Sequence, residues 1–179
     1  SAQHTGEIDS VAFNLKGAHG SFAGNIIVNA EKEYDLSINL SGVRLGEFVG
    51  LLPTQTTKFF FDAAVDARIS GQITSAGKIR NIGMQFNSGA GLLRYPGVFE
   101  SSLQFDSIQF SVNADNDFSS VVISDINARF GEIELNFDVW AHRMGNEIHT
   151  RINGLGTNIQ IESLAHFWPV PLGAEAREW

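Results

Sequence analysis

The chain has no cysteine, which removes disulfides, thiolate metal sites and a cysteine nucleophile together. Proline occurs only 4 times in 179 residues and charged residues make up 18%, so neither proline-rich linkers nor the charge-laced faces of long exposed helices have material to form. Positive charge is scarce as well: 12 Lys and Arg against 20 Asp and Glu leave a net charge of −8. That balance supplies no basic stripe to neutralise phosphates and argues against a nucleic-acid partner. No apolar run approaches the roughly 20 residues of a membrane-spanning helix, and Ser1 to Gly6 lack the charged and apolar regions of a signal peptide. The abrupt stop at Trp179 leads to the expectation of a piece cut from a longer chain.

Chemistry-bearing patterns are equally sparse. His4, His19, His142, His149 and His166 form no His-x-x-x-His or His-Glu-x-x-His pair, the spacings that bring two imidazoles to one zinc ion; only His142 and His149 have a way to meet, across a hairpin. Asp115-Asn116-Asp117 lacks the glycine and distal glutamate of a calcium loop. Gly89-Ala90-Gly91 lacks the third glycine of a dinucleotide turn, and there is no Gly-x-Ser-x-Gly elbow. The carboxylates alternate along polar strand faces, where solvation accounts for them. The expectation is therefore no enzyme, no metal and no cofactor.

What is present is period-two alternation. With 43% apolar residues, 18 Gly and 14 Phe, the composition favours strands and turns, and the length suits one domain burying roughly 70% of its extended-chain surface. Val11, Phe13 and Leu15 alternate with polar neighbours, then Phe22, Gly24, Ile26 and Val28, then Tyr34, Leu36, Ile38 and Leu40. After Lys58 the row Phe59, Phe61, Ala63, Val65, Ala67 and Ile69 reads as one strand of about 36 Å. Ile82, Met84 and Phe86 lead into the Gly-rich turn at residues 87–91. Leu103 and Phe105 are odd-numbered but Ile108, Phe110 and Val112 even, a phase slip that places a bulge or bend near Asp106-Ser107. Val122, Ser124 and Ile126 follow the loop at residues 113–117, and Ile133, Leu135, Phe137, Val139 and Ala141 precede the Gly145-Asn146 turn and Ile148, Thr150 and Ile152. About nine strands with short connections predict an antiparallel meander.

Two segments depart from this pattern and align with one another, residues 44–53 and 160–169. Leu45, Phe48, Val49 and Leu52 match Ile161, Leu164, Ala165 and Trp168, helical spacing closed by Pro53 and Pro169. The organisation expected is strands over 7–43, a short helix over 44–53, a long-stranded sheet over 58–154, a second short helix over 158–168 and a connector over 169–179. Read as one unit with parts of its neighbours, the chain suggests a repeat.

The run Leu164-Ala165-His166-Phe167-Trp168-Pro169 followed by Ala176-Arg177-Glu178-Trp179, with the Gly-rich Ser88 to Pro96 upstream, resembles the AsmA-like family of bacterial envelope proteins, in the branch that contains YhdP and is related to TamB. The resemblance implies a curved β-sheet groove in the periplasm, in a full-length protein anchored to the inner membrane, passing phospholipid towards the outer membrane. It implies phospholipid or another acyl-chain lipid and adjoining repeats of the same protein as partners.

Physical chemistry leads the same way. A sheet with one apolar face needs a second layer, and two short helices are too little to supply it. A partly open face is naturally covered by acyl chains, each buried methylene contributing roughly 0.8 kcal/mol. Phe59, Phe61, Val65, Ile69, Met84, Phe86, Ile133, Leu135, Phe137 and Val139 are the candidate groove lining. Phe48, Leu52, Pro53, Leu164, Trp168, Pro169, Arg177 and Trp179 read as structural caps at helix ends. The alternative is that the same rows face the core of a closed β-sandwich or barrel, a binding or scaffolding module in envelope or outer-membrane protein assembly. A hydrolase of envelope polymers ranks below both. Exposed sheet edges carry the further expectation of self-association.

Overall fold

In a computed structural model the chain is described over residues 10–18, 20–44, 60–97, 99, 101–115 and 118–160. These residues form β1 (Ser10–Gly17), β2 (Gly20–Val28), β3 (Tyr34–Arg44), β4 (Phe60–Asp62), β5 (Ala64–Ile73), β6 (Ile79–Ser88), β7 (Gly91–Arg94), β8 (Leu103–Phe105), β9 (Ser107–Asp115), β10 (Ser120–Phe130), β11 (Ile133–Met144) and β12 (Glu147–Thr157). Nine strands make one sheet in the order β1-β2-β3-β5-β6-β9-β10-β11-β12, every neighbouring pair antiparallel, and β4-β7-β8 make a smaller one. The large sheet is not closed, β1 and β12 being its two edges. The expected mainly β, antiparallel, open architecture is what forms, and the closed sandwich or barrel is not.

The two sheets are one set of strands turned through a corner. Three adjacent strands of the large sheet, β5, β6 and β9, connect in sequence to β4, β7 and β8, which neighbour one another in the same order. The turning points are Ala63, Gly89-Ala90 and Asp106. The single strand expected over residues 59–69 is therefore corrected to two, because Ala63 leaves the ladder and β4 pairs with β7 while β5 pairs with β3 and β6. The phase slip at Asp106-Ser107 is the matching corner between β8 and β9. Gly91 belongs to this crowded place: a Cβ there would lie 2.6 Å from the Ala63 Cβ and 2.7 Å from the Phe105 ring, and would overlap the Asp62 carbonyl oxygen.

Folding the corner over closes the only compact core among the described residues. Phe61, Ala63, Val65, Ala67 and Phe105 are buried there, with Leu40, Phe86, Leu93, Ile108 and Phe130 packed around them. The Phe61 ring stacks on Phe105 at 5.2 Å and meets Phe86 edge-on at 5.7 Å. Elsewhere among the described residues the sheet is a single layer.

Two bulges bend the long strands, and both use one device. In β3, Ser41 and Gly42 together oppose Asp66, since Leu40 pairs with Ala67 and Val43 with Val65; Gly42 has φ 63° and donates its N–H to Asp66 Oδ1 at 3.0 Å. In β10, Ser124 and Asp125 together oppose Asp138; Asp125 has φ 54° and donates its N–H to Asp138 Oδ1 at 2.9 Å. A bulge strands one backbone N–H, and a carboxylate on the neighbouring strand satisfies it. The β10 bulge also corrects the row Val122, Ser124 and Ile126: the apolar side carries Val121 and Ile123 before the bulge and Ile126, Ala128 and Phe130 after it.

The helix expected over 44–53 cannot start at 44, where Arg44 ends β3, and that over 158–168 cannot start at 158, where Asn158 to Gln160 are not helical. The remainder of both segments lies outside the described residues.

Candidate functional site

Strand register decides which side chains share a face. Starting from Phe13, the pairings run through Gly24, Ile38, Ile69, Met84, Val112, Ile123 and Val139 to Ile152. One uninterrupted row thus crosses all nine strands with no polar side chain in it. The row on the opposite face, from Asn14 through Ala23, Asn39, Arg68, Gln85 and Ser111 to Ser124, is almost wholly polar.

Exposure grades along the apolar face. Val65 is fully buried and Phe61 is 7% exposed beneath the corner. Ile69, Met84, Phe86, Ile133, Leu135, Phe137 and Val139 are half-buried, shielded by neighbours in the same layer. Towards the edges Leu15 reaches 65% exposure and Ile148 and Ile152 67% and 68%. Among the candidate lining residues Val65, Ile69, Met84, Phe86, Ile133, Leu135, Phe137 and Val139 share the large sheet's apolar face, whereas Phe61 sits on β4. Phe61 and Val65 are sealed in the corner core and form the closed end of the face, not its open part. Phe59 lies outside the described residues, as do Phe48, Leu52, Pro53, Leu164, Trp168, Pro169, Arg177 and Trp179.

Aromatic rings organise this surface. Phe86 stacks on Phe110 at 4.5 Å, carrying the corner core out onto the open face. Phe13 and Phe137 lie across glycines on neighbouring strands, so that a Cβ on Gly24 would meet the Phe13 ring and one on Gly154 the Phe137 Cβ. The Phe13 ring covers the space the missing side chain leaves at Gly24.

The polar face is held by amide and carboxylate pairs between strands. Asn81 Nδ2 donates to Gln72 Oε1 at 2.8 Å, Gln72 Nε2 to Asp35 Oδ1 at 3.0 Å, and Asn127 Nδ2 to Asn136 Oδ1 at 2.6 Å. Open depressions lie on this side, over Asn39, Arg68 and Gln85 and again over Asn127, Asn136 and Asn153. Concavity therefore does not single out the apolar face; its chemistry does. His142 and His149 are directly paired across the β11–β12 hairpin, with His149 Nε2 3.6 Å from Glu147 Oε2 and the His142 ring stacked on Trp140 at 5.7 Å. Among the described residues no cluster of three metal-ligating side chains occurs.

Sequence reasoning missed Phe110, Val112, Val121 and Ile123 as members of the apolar surface. Phe110 and Val112 carried the signal in their even-numbered phase; Val121 and Ile123 did not, because the β10 bulge shifts the phase inside one strand. Compared with known protein families, curated proteins and solved structures, the chain matches none.

Proposed function

We propose that this chain is a segment of an AsmA-like periplasmic protein, anchored in full-length form to the inner membrane, that holds lipid acyl chains on the apolar face of its sheet. In this role it contributes to phospholipid transport between the inner and outer membranes. The observation that carries the reading is the apolar row from Phe13 to Ile152, which spans nine strands while the only second layer among the described residues is the small sheet at one end. Eight strand spacings of about 4.8 Å give a face roughly 38 Å across, broad enough for extended hydrocarbon.

A surface of this kind binds through area. Each methylene laid against it contributes roughly 0.8 kcal/mol, and no polar anchor interrupts the row to fix one headgroup or one register. Such binding discriminates poorly between lipids and permits sliding along the face, the property a conduit needs. The charged and amide-rich opposite face keeps that side in water. The reading is tested by titrating a fluorescent acyl probe into the purified chain and into Ile26→Asp and Phe137→Asp variants. Saturable uptake by the native chain, weakened at least tenfold in folded variants, is expected; equal uptake by all three would place the probe elsewhere and overturn the reading.

A further inference from the structure

We infer that the polar face of the sheet binds a neutral carbohydrate chain, laid across the strands in a trough that runs from Asn39 to Asn153 with Trp140 at its side. Three adjoining depressions make up the trough. The first lies over Asn39, Arg68 and Gln85; the second shares those three residues and reaches Ser111, Ser124 and Asp125; the third begins at Asp125 and ends at Asp138 and Asn153. They follow one line of cross-strand partners, Asn39 with Arg68, Arg68 with Gln85, Gln85 with Ser111, Ser111 with Ser124 and, across the β10 bulge, Asp138 with Asn153. Six strand spacings of about 4.8 Å make the line roughly 29 Å long, enough for several sugar rings in a row.

Short side chains sink the floor of the trough at its middle. Ser37, Ser70, Ser111 and Ser124 line the second depression together with Gly83, where a Cβ would come within 3.3 Å of Ser70 Oγ and 3.5 Å of Asn113 Oδ1. Hydrogen-bonding capacity is free along this line and engaged on both sides of it. On one flank Asn81, Gln72 and Asp35 bond to one another, and on the other Asn127 bonds Asn136. Between them, among the described residues, no side-chain hydrogen bond or ion pair engages Asn39, Arg68, Gln85, Ser111 or Asn113.

The chemistry of these groups selects the ligand. Side-chain amides and hydroxyls both donate and accept, which matches sugar hydroxyls, themselves donors and acceptors at once. An anion is disfavoured, because the carboxylates of Asp66, Asp125 and Asp138 border the trough and Arg68 is the single cation lining it, in a chain of net charge −8. An apolar ligand is disfavoured too, since it would cover the amides without bonding them. Trp140 supplies the remaining element. It stands two residues along β11 from Asp138 on the same face, opposite Val122, is 40% exposed, and has the His142 ring stacked on it at 5.7 Å. An exposed indole among amides offers a flat apolar surface to the C–H face of a sugar ring, while the polar groups around it orient the hydroxyls. The site lies on the face opposite the acyl-chain surface and does not rest on lipid binding.

The whole chain is tested on an array of immobilised neutral oligosaccharides, sulfated oligosaccharides and uncharged peptides, and the neutral sugars it captures are then titrated in solution by calorimetry. Saturable binding of a neutral oligosaccharide is expected, tighter than that of its component single sugar. Trp140→Ala and Gln85→Ala, both at exposed positions, are each expected to weaken it by about fivefold or more with β circular dichroism retained, while uptake of a fluorescent acyl probe stays as in the native chain. Should Trp140→Ala lose its sheet signal, Gln85→Ala decides the matter. Capture of no neutral oligosaccharide, tighter binding of sulfated sugars or of uncharged peptides, or native affinity in a folded variant would overturn the inference.

Discussion

Val65 and Leu15 project from the same face of one sheet, yet the fold assigns them opposite fates. Val65 is fully buried under the corner and Leu15 is 65% exposed at the β1 edge. Val65→Ala removes two carbons from complete burial, a transfer loss of about 1.6 kcal/mol at roughly 0.8 kcal/mol per methylene. The cavity left among Phe61, Ala67 and Phe105 raises the total to about 2–3 kcal/mol. Leu15→Ala removes three carbons, but with about a third of the residue covered the same arithmetic gives roughly 0.8 kcal/mol. The smaller truncation is thus expected to cost at least twice the larger one. Urea unfolding followed by circular dichroism measures both, with a shift of midpoint at constant slope identifying loss of stability without change of compactness. Equal costs, or a larger cost at Leu15, would mean that the face is covered along its whole length and would refute the reasoning.

Asp138→Ala removes the acceptor for the Asp125 N–H at the β10 bulge and is expected to lower stability by about 0.5–1 kcal/mol, the net contribution of a hydrogen bond whose exposed donor water can still reach. Asp138→Asn, which keeps an acceptor oxygen, should recover at least half of that loss in the same urea assay. Gly91→Ala places a methyl group against Ala63 and Phe105 at the corner, and overpacking of this kind costs about 1–3 kcal/mol. Hydrogen exchange should show the loss concentrated in β4, β7 and β8, with β11 and β12 unchanged.

Much of the sheet was legible in the sequence because period-two alternation maps directly onto a pleated layer with one wet and one dry side. The rows from Val11 to Leu40 and from Ile133 to Ile152 fall on one face as the alternation requires, and the slip at Asp106-Ser107 marks a true corner. The run from Phe59 to Ile69 was misleading because its alternation continues unbroken through Ala63: the corner leaves Phe61, Ala63, Val65 and Ala67 in the same core, so the pattern is identical for a straight strand and a folded one. The β10 bulge was hidden for a different reason. The carboxylate that satisfies its stranded N–H is Asp138 on another strand, a tertiary contact with no local trace in Ser124-Asp125. Exposure was the least accessible property, since nothing in the spelling of Phe61 and Val65 separates them from Phe137 and Val139; what covers a residue depends on which strands turn back over it.

Native mass spectrometry of the chain purified under gentle conditions measures most directly whether the open face takes hydrocarbon. The expected result is protein carrying phospholipid or other acyl-chain species, heterogeneous in headgroup because the row from Phe13 to Ile152 offers no polar selector. Bare protein that also takes up no added acyl probe would contradict the account, whatever the shape of the sheet.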